Sequence, residues 1–437
     1  MRKSATFFIF FLILYLCHFK IAYAKVYIDI DSPSFKKFPI AVTYFRNLGE
    51  VVDKECVSEE IYEALTNDLD ITGLFTLIDP SYLIKPPEDL KSSGNDSINY
   101  RDWSLIGAEA LIKGNFYCKG EIIEIEAKLY DIFRGNFIMG KRYAGKRKDI
   151  RRIVHRFTDE VLLRFTGEKG VFDTKIAFVS DRLGYNEIYT MDFDGYNVKK
   201  ITDHKSIVLS PSWSIKVKRI AFTSYKSGNP DIYIKDLVTN KEMRISHHKG
   251  LNITPVWSPD GERLAVTLSK DGNPEIYIID KYGKELRRLT NHWGIDVSPT
   301  WSPDSKRIAF VSDRAGKRNI YIIDSQGEKV KRLTYEIEYS DSPEWSPKGD
   351  RIVFSSLKDH HFDIYTVNSD GNNLKRLTSN SGNNEDPSWS PDGRYIAFTS
   401  NRDTKRSVYL MRADGSGLRK LKAFDGEQFN ICWSPRF

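Results

Sequence analysis

"PTWSPDSKRIAF", residues 299 to 310, places a tryptophan in a polar turn and follows it with a short apolar run. The arrangement returns as "PSWS", "PVWS", "PEWS", a second "PSWS" and a last "CWSPRF". Trp213, Trp257, Trp301, Trp345, Trp389 and Trp433 are each 44 residues apart. Two more elements keep that step. "IAF" and its variants begin at Ile176, Ile220, Leu264, Ile308, Ile352 and Ile396, and "IY" and its variants at Ile188, Ile232, Ile276, Ile320, Ile364 and Val408. Repeats of about 40 to 45 residues, rich in short strands and turn residues, are the signature of propeller blades.

Turn chemistry cuts each copy into four strands. Pro259-Asp260-Gly261 and Pro391-Asp392-Gly393 fit a tight turn in which proline fixes φ and glycine takes the positive φ. The Trp strand, the "IAF" strand, the "IY" strand and a strand ending "RLT" follow one another, giving a small antiparallel sheet that must pack against its neighbours around an axis. The first "IAF" copy, at Ile176, has no Trp element before it, and the last Trp element has no "IAF" after it. The repeat is complete only if the strand at Trp433 joins the blade begun at Lys175, so residues 167–437 are expected to form a six-bladed, all-β propeller closed by its C-terminal strand.

The preceding sequence lacks the repeat. Arg2 and Lys3, the apolar run "FFIFFLILYL" and Ala22-Tyr23-Ala24 read as a signal peptide, residues 1–24, cleaved after Ala24, which implies an exported protein with no integral membrane segment once mature. Residues 25–166 alternate strand and helix patterns and read as a small α/β domain. "VYIDI", "PIAVTYF", "LFTLID", "EALIKGNF" and "EIIEIEAKLYD" are its strands. Ser58 is the expected N-cap of one helix, with an apolar stripe at Ile61, Leu65 and Leu69, and Asp149 opens another that runs to Gly167. The net charge of +7 drops to +4 when Arg2, Lys3 and Lys20 leave with the leader, too little to argue for nucleic acid. Cys56, Cys118 and Cys432 remain, and the compartment permits a Cys56–Cys118 bridge as readily as buried free thiols.

No sequence motif supports catalysis. The chain has no G-x-S-x-G elbow, H-E-x-x-H, paired C-x-x-C or P-loop. His247-His248 and His360-His361 fall in loops of different repeats, where adjacent histidines face solvent, and no metal or cofactor is assigned. The repeated tryptophans follow the scaffold and read as packing between blades. "GKRYAGKRKDIRR", residues 140–152, holds seven basic residues and reads as a solvated strand end and helix start, with an acidic partner or anionic lipid as the alternative. The connections that enter the ring before each Trp do not repeat: "IVLS", "NITP", "IDVS", "YSDS", "NNED" and "QFNI". Function is expected in this variable rim. Asn252, Thr254, Asp296, Val297, Ser298, Asp341, Glu385 and Asp386 are the candidate partner-binding residues, and Asp296, Asp341, Glu385 and Asp386 could alternatively hold a cation near the axis.

The signal peptide, the small α/β domain, the junction "TDEVLLRFTGEKGVFDTKIAFVS" and the "PxWSPDGxxIAF" copies ending in "WSPRF" together resemble the TolB family over the whole mature chain. Copies vary: "WSIKVKRIAF" lacks the Pro-Asp-Gly turn, and Lys348 replaces its Asp in another. The resemblance implies a non-enzymatic periplasmic component of the Tol–Pal system. Such a protein would link a peptidoglycan-associated outer-membrane lipoprotein, bound at the propeller rim, to a TolA-like inner-membrane protein. It would help maintain the outer membrane and its constriction at division. It also implies TolA contact through the mature N-terminus, here Lys25, Val26, Tyr27, Ile28, Asp29 and Ile30, whose alternation suggests a strand able to dock on the protein itself. The competing class is a propeller enzyme or sugar-binding protein acting on cell-wall material, which would need a convergent acid/base or nucleophile set in the ring opening.

Overall fold

The computed structural model describes residues 36–49, 54–79, 81, 98–422 and 424–437. The expected signal peptide, residues 1–24, and the expected partner-contact segment Lys25–Ile30 lie outside the described residues. Among the described residues, no helix is long and apolar enough to cross a membrane.

The N-terminal domain is built on a mixed sheet of β1 (Phe38–Val42), β2 (Arg46–Asn47), β3 (Phe75–Ile78), β4 (Ala110–Lys119), β5 (Ile122–Asp131) and β6 (Asn136–Lys146). Its order is β3-β1-β4-β5-β6, with β2 also on β4. β1 runs parallel to β3 and β4, and β4, β5 and β6 are antiparallel to one another. The helices are α1 (Lys54–Thr72), the short α2 (Tyr100–Leu105) and α3 (Ile150–Thr166). α1 begins one turn earlier than the sequence suggests. Ser58 is therefore not its N-cap: its hydroxyl donates to the Phe45 carbonyl at 2.8 Å and ties the helix to the segment before it. α3 stops at Gly167, whose φ of 76° lets its N–H return to the Leu163 carbonyl. Cys118 is a buried free thiol, so it forms no bridge with Cys56.

Each of the six blades is the expected four-stranded antiparallel sheet, and the chain's last strand, Gln428–Trp433, pairs with β7 (Lys175–Ser180), followed by β8 (Glu187–Asp192) and β9 (Lys199–Lys200). Trp433 faces Ile176 there in the register Trp301 holds to Ile308 in its own blade. The Ser-Pro-Asp-Gly turns form as read: Gly261 has φ 72°, and Asp260 accepts from the Ser258 hydroxyl at 2.6 Å and the Glu262 amide at 2.9 Å.

The domains share one core. Phe157, Val161 and Phe165 of α3 belong to the same buried cluster as Phe172, Ile176, Phe193 and Trp433. Polar contacts follow the same seam: Arg394 reaches Glu168 at 2.6 Å, Arg436 donates to the carbonyls of Lys169 and Gly170, and Arg419 pairs with Asp70. These propeller residues lie in and around the turns at one end of the ring, so the small domain covers that end and leaves the other free.

Candidate functional site: the axial channel

The innermost strands of the blades, Val208–Trp213, Asn252–Trp257, Asp296–Trp301, Ser340–Trp345, Asn384–Trp389 and Gln428–Trp433, surround a channel of about 520 Å³. Each tryptophan is at most 5 % exposed. Trp213 Nε1 donates to the Cys432 carbonyl of the preceding blade at 3.1 Å, Trp301 to Val256 at 3.3 Å and Trp389 to Glu344 at 3.2 Å. In return, Ser212, Thr300, Glu344 and Ser388 accept the Trp257, Trp345, Trp389 and Trp433 backbone amides at 2.9–3.2 Å. The tryptophans thus stitch neighbouring blades together.

Every inner strand carries a bulge at the same place. Leu209 pairs with Thr223 and Ser212 with Ala221, leaving Ser210 and Pro211 opposite a single residue, and the other five strands repeat this shift. The first bulge residue is left-handed in all six: Ser210, Thr254, Ser298, Ser342, Asp386 and Asn430 have φ between 45° and 54° without a glycine among them. That conformation is costly for L-residues, above all for the β-branched Thr254. The second position is proline in five blades and Ile431 in the sixth. Proline suits it because an unpaired bulge position needs no N–H. The channel therefore has a polar collar of strained residues backed by an apolar proline ring.

The collar is partly tied together. Asp386 Oδ2 accepts the Asn430 amide at 2.7 Å, Asn430 Oδ1 accepts that of Ser210 at 3.3 Å, and the Thr254 and Thr267 hydroxyls meet at 2.8 Å. Burial raises the carboxyls of Asp341 and Glu385, and each is raised further by Asp386. Arg318 and Arg406 stand 3.3 and 2.9 Å from Asp341 and Glu385 and oppose that rise. In the wall, Glu344 is pushed up to about 7 by burial, and the Cys432 thiol up to about 12 by burial and by Glu344. No histidine or lysine lines the channel among the described residues.

The candidate residues separate into two groups. Thr254, Ser298 and Asp386 line the channel, with Asp341 and Glu385 beside Asp386. Asn252 and Asp296 do not face it: both are fully buried. Asn252 spans its connection, donating to the carbonyls of Pro230, His248 and Gly250 and accepting from Ser246 and His248. Asp296 accepts from Arg314 Nη2 at 2.7 Å. Val297 packs half-buried against the neighbouring blade's core. The four carboxylates proposed as cation ligands are instead held by arginines or, at Asp386, by Asn430. The sequence reading passed over Ser210, Ser342, Asn430 and Glu344, although the first three keep the 44-residue step three positions before a Trp. It also passed over Trp293, which is 75 % exposed beside His292 on the connection leading to Asp296, and whose signal is a tryptophan out of register.

Among the described residues, one group has metal-ligand geometry: Asp68 of α1, His155 of α3 and Asp194 of the propeller. Arg151 already donates to Asp194 through Nε at 3.1 Å and through Nη2, so positive charge is supplied there by the protein.

Two family models cover nearly all of the chain from residue 26 onward. One described as the TolB amino-terminal domain matches residues 26–138, and one described as the TolB beta propeller domain matches residues 162–437. The chain belongs to the TolB family. Relatives named Tol-Pal system protein TolB include that of Syntrophotalea carbinolica, 41 % identical, and that of Geobacter metallireducens, 43 % identical. Each alignment covers 43 % of this chain and 43 % of the relative, so the matched part is under half of those TolB proteins. The crystal structure of TolB from Acinetobacter baumannii superposes with a TM-score of 0.78 at 26 % identity, over 92 % of this chain and 97 % of that one. The sheet-and-helix domain followed by a six-bladed ring is thus the TolB architecture.

Proposed function

We propose that this TolB-family chain is a non-enzymatic periplasmic scaffold of the Tol–Pal system. Its free propeller face receives part of a peptidoglycan-associated lipoprotein, and the segment from Lys25 to Ile30 contacts a TolA-like inner-membrane protein. The linkage maintains the outer membrane and its constriction at division. The observation that carries this reading is the collar: six left-handed, non-glycine residues around one opening, with Asp341, Glu385 and Asp386 grouped on one side. Strain kept in a ring and a cluster of like charges are features that folding does not require. They suit a partner segment that brings donors or positive charge to the mouth. Trp293 adds an exposed aromatic anchor on the same set of connections.

Calorimetric titration of the mature protein with the soluble domain of the lipoprotein tests the site. Ser298→Arg would block the mouth without removing a side-chain bond, and should weaken binding at least tenfold. Unchanged affinity, with an unaltered circular dichroism spectrum, would remove the channel mouth from the proposal.

A further inference from the structure

A second cavity, of about 270 Å³, lies between α3 and the first two blades, at the end of the ring that the small domain covers. Its lining contains seven basic side chains and one acid, Asp173. Arg152 and Arg156 come from one face of α3, a turn apart. The blade begun at Lys175 supplies that lysine with Lys199 and Lys200, and the next blade supplies Lys218 and Lys235. Trp213, Leu237 and Phe437 form an apolar wall.

Departures from the repeat gather at this cleft. At the position of Lys235, 44 residues on and at each further step, the blades carry Ile279, Ile323, Val367 and Met411, and the first blade carries Met191. All five are core residues about 1 % exposed. Lys218 lies in the copy whose Pro-Asp-Gly turn is replaced by Ile215-Lys216-Val217, which exchanges an acid for a base. Lys199 departs in what it does. Of its five counterparts, Arg287, Lys331 and Lys375 donate to the carbonyls of Gln326, Asp370 and Asp414 in the adjoining blade at 2.7–2.9 Å, Arg419 pairs with Asp70, and Met243 carries no charge. Lys199 makes neither that bond nor an ion pair among the described residues.

Five of the seven cations have acidic partners: Arg156 with Asp173, Lys175 with Asp192, Lys200 with Asp203, Arg152 with Asp149 at 3.8 Å, and Lys235 with Glu242 at 3.9 Å. The last is shared with Lys226 and His204. Lys199 and Lys218 have none among the described residues, and Lys218 rests over the Phe437 ring. The excess of positive charge in the lining is therefore carried by Lys199 and Lys218, and guanidinium groups beside flexible ammonium groups are suited to binding oxyanions.

We infer that this cleft binds a small polyanion presenting at least two phosphate or carboxylate groups, independently of the axial channel. The test is calorimetric titration of the full mature chain with pyrophosphate, citrate and orthophosphate at physiological ionic strength. Saturable one-to-one binding of pyrophosphate or citrate, at least tenfold tighter than orthophosphate, is expected, and which of the two is tighter identifies the group preferred. Lys199→Glu and Lys218→Glu, both at exposed positions, should each weaken it about tenfold. Lys235→Met, which restores the residue type of the other blades, should weaken it while the thermal midpoint holds or rises. Lys284→Glu, on a turn away from the cleft, should bind as the parent does. Absence of saturable binding, or equal loss in Lys284→Glu, would overturn the proposal.

Discussion

His155 Nε2 on α3 lies 3.4 Å from Asp194 Oδ2 in the propeller, while its Nδ1 lies 2.8 Å from Asp68 on α1. The ring joins both helices of the small domain to the first blade, and all three side chains are essentially unexposed. Burial opposes charging His155, but Asp68 and Asp194 outweigh it and raise it from 6.5 to about 10. Burial likewise works against ionising Asp194, yet His155 and Arg151 hold it down to about 2.

The pH dependence of stability follows from these directions. The His155 contribution is complete below about 6.5 and is lost as pH rises toward 10. That of Asp194 is complete above 3.8 and is lost as pH falls toward 2. Thermal unfolding should therefore show the domains most tightly coupled between these limits. His155→Ala leaves two buried carboxylates facing each other and should cost about 3–5 kcal/mol. Its denaturant transition should separate into two steps, one per domain, and a single step at the parental midpoint would contradict the coupling.

Glu344 should titrate near neutrality. Burial raises it from 4.5 to about 7, so the folded protein holds a proton that the unfolded chain has released. Its effect is a loss of stability as pH rises from about 4.5 to 7, with no further change above. Glu344→Gln keeps an acceptor for the Trp389 amide and should abolish that slope while leaving the acid-side stability nearly unchanged. Urea midpoints at pH 5 and 8 read the difference directly.

Trp293→Ala removes an exposed ring that no blade requires. Stability should change by less than about 0.5 kcal/mol. Affinity for the lipoprotein partner should fall about tenfold or more if the ring anchors it, as buried interface tryptophans do. A binding isotherm and a melting curve from the same preparation separate the two effects.

Trp301→Ala tests the stitching between blades. It opens a cavity at a packed seam and takes away the bond to the Val256 carbonyl. A loss of about 3–5 kcal/mol is expected. Trp301→Phe keeps most of the packing, and the smaller loss expected of it measures the hydrogen bond with the remaining volume.

The ring was legible because its tryptophans, "IAF" runs and turns are scaffold residues held to one spacing by the same packing in every blade. The functional positions were harder to see. Asp296 and Ser298 look equivalent as polar residues of a connection, yet one is buried under Arg314 and the other lines the channel. The bulge separates them: it interrupts the period of two, so alternation along the strand no longer tells which residue faces the axis. Asn252, Asp296 and Asn384, each first in its inner strand and fully buried, show that the start of a connection has a structural task of its own. Ser58 failed as a helix start because its hydroxyl had a better partner in Phe45 than the helix amides. Lys235 breaks the 44-residue register in the sequence itself, but only the fold brings it into one cleft with Arg152, Lys199 and Lys218.

The closing strand also bears on how the chain matures. Lys175 and Ser434, joined by two hydrogen bonds, are 259 positions apart. Until the last segment arrives, the blade under the small domain keeps an open edge, Trp433 is missing from the shared core, and the channel wall has a gap. Completion therefore waits on the far end of the chain: the ring, its channel and the seam with the small domain are all finished by one late, long-range pairing, the kind of contact that forms slowly.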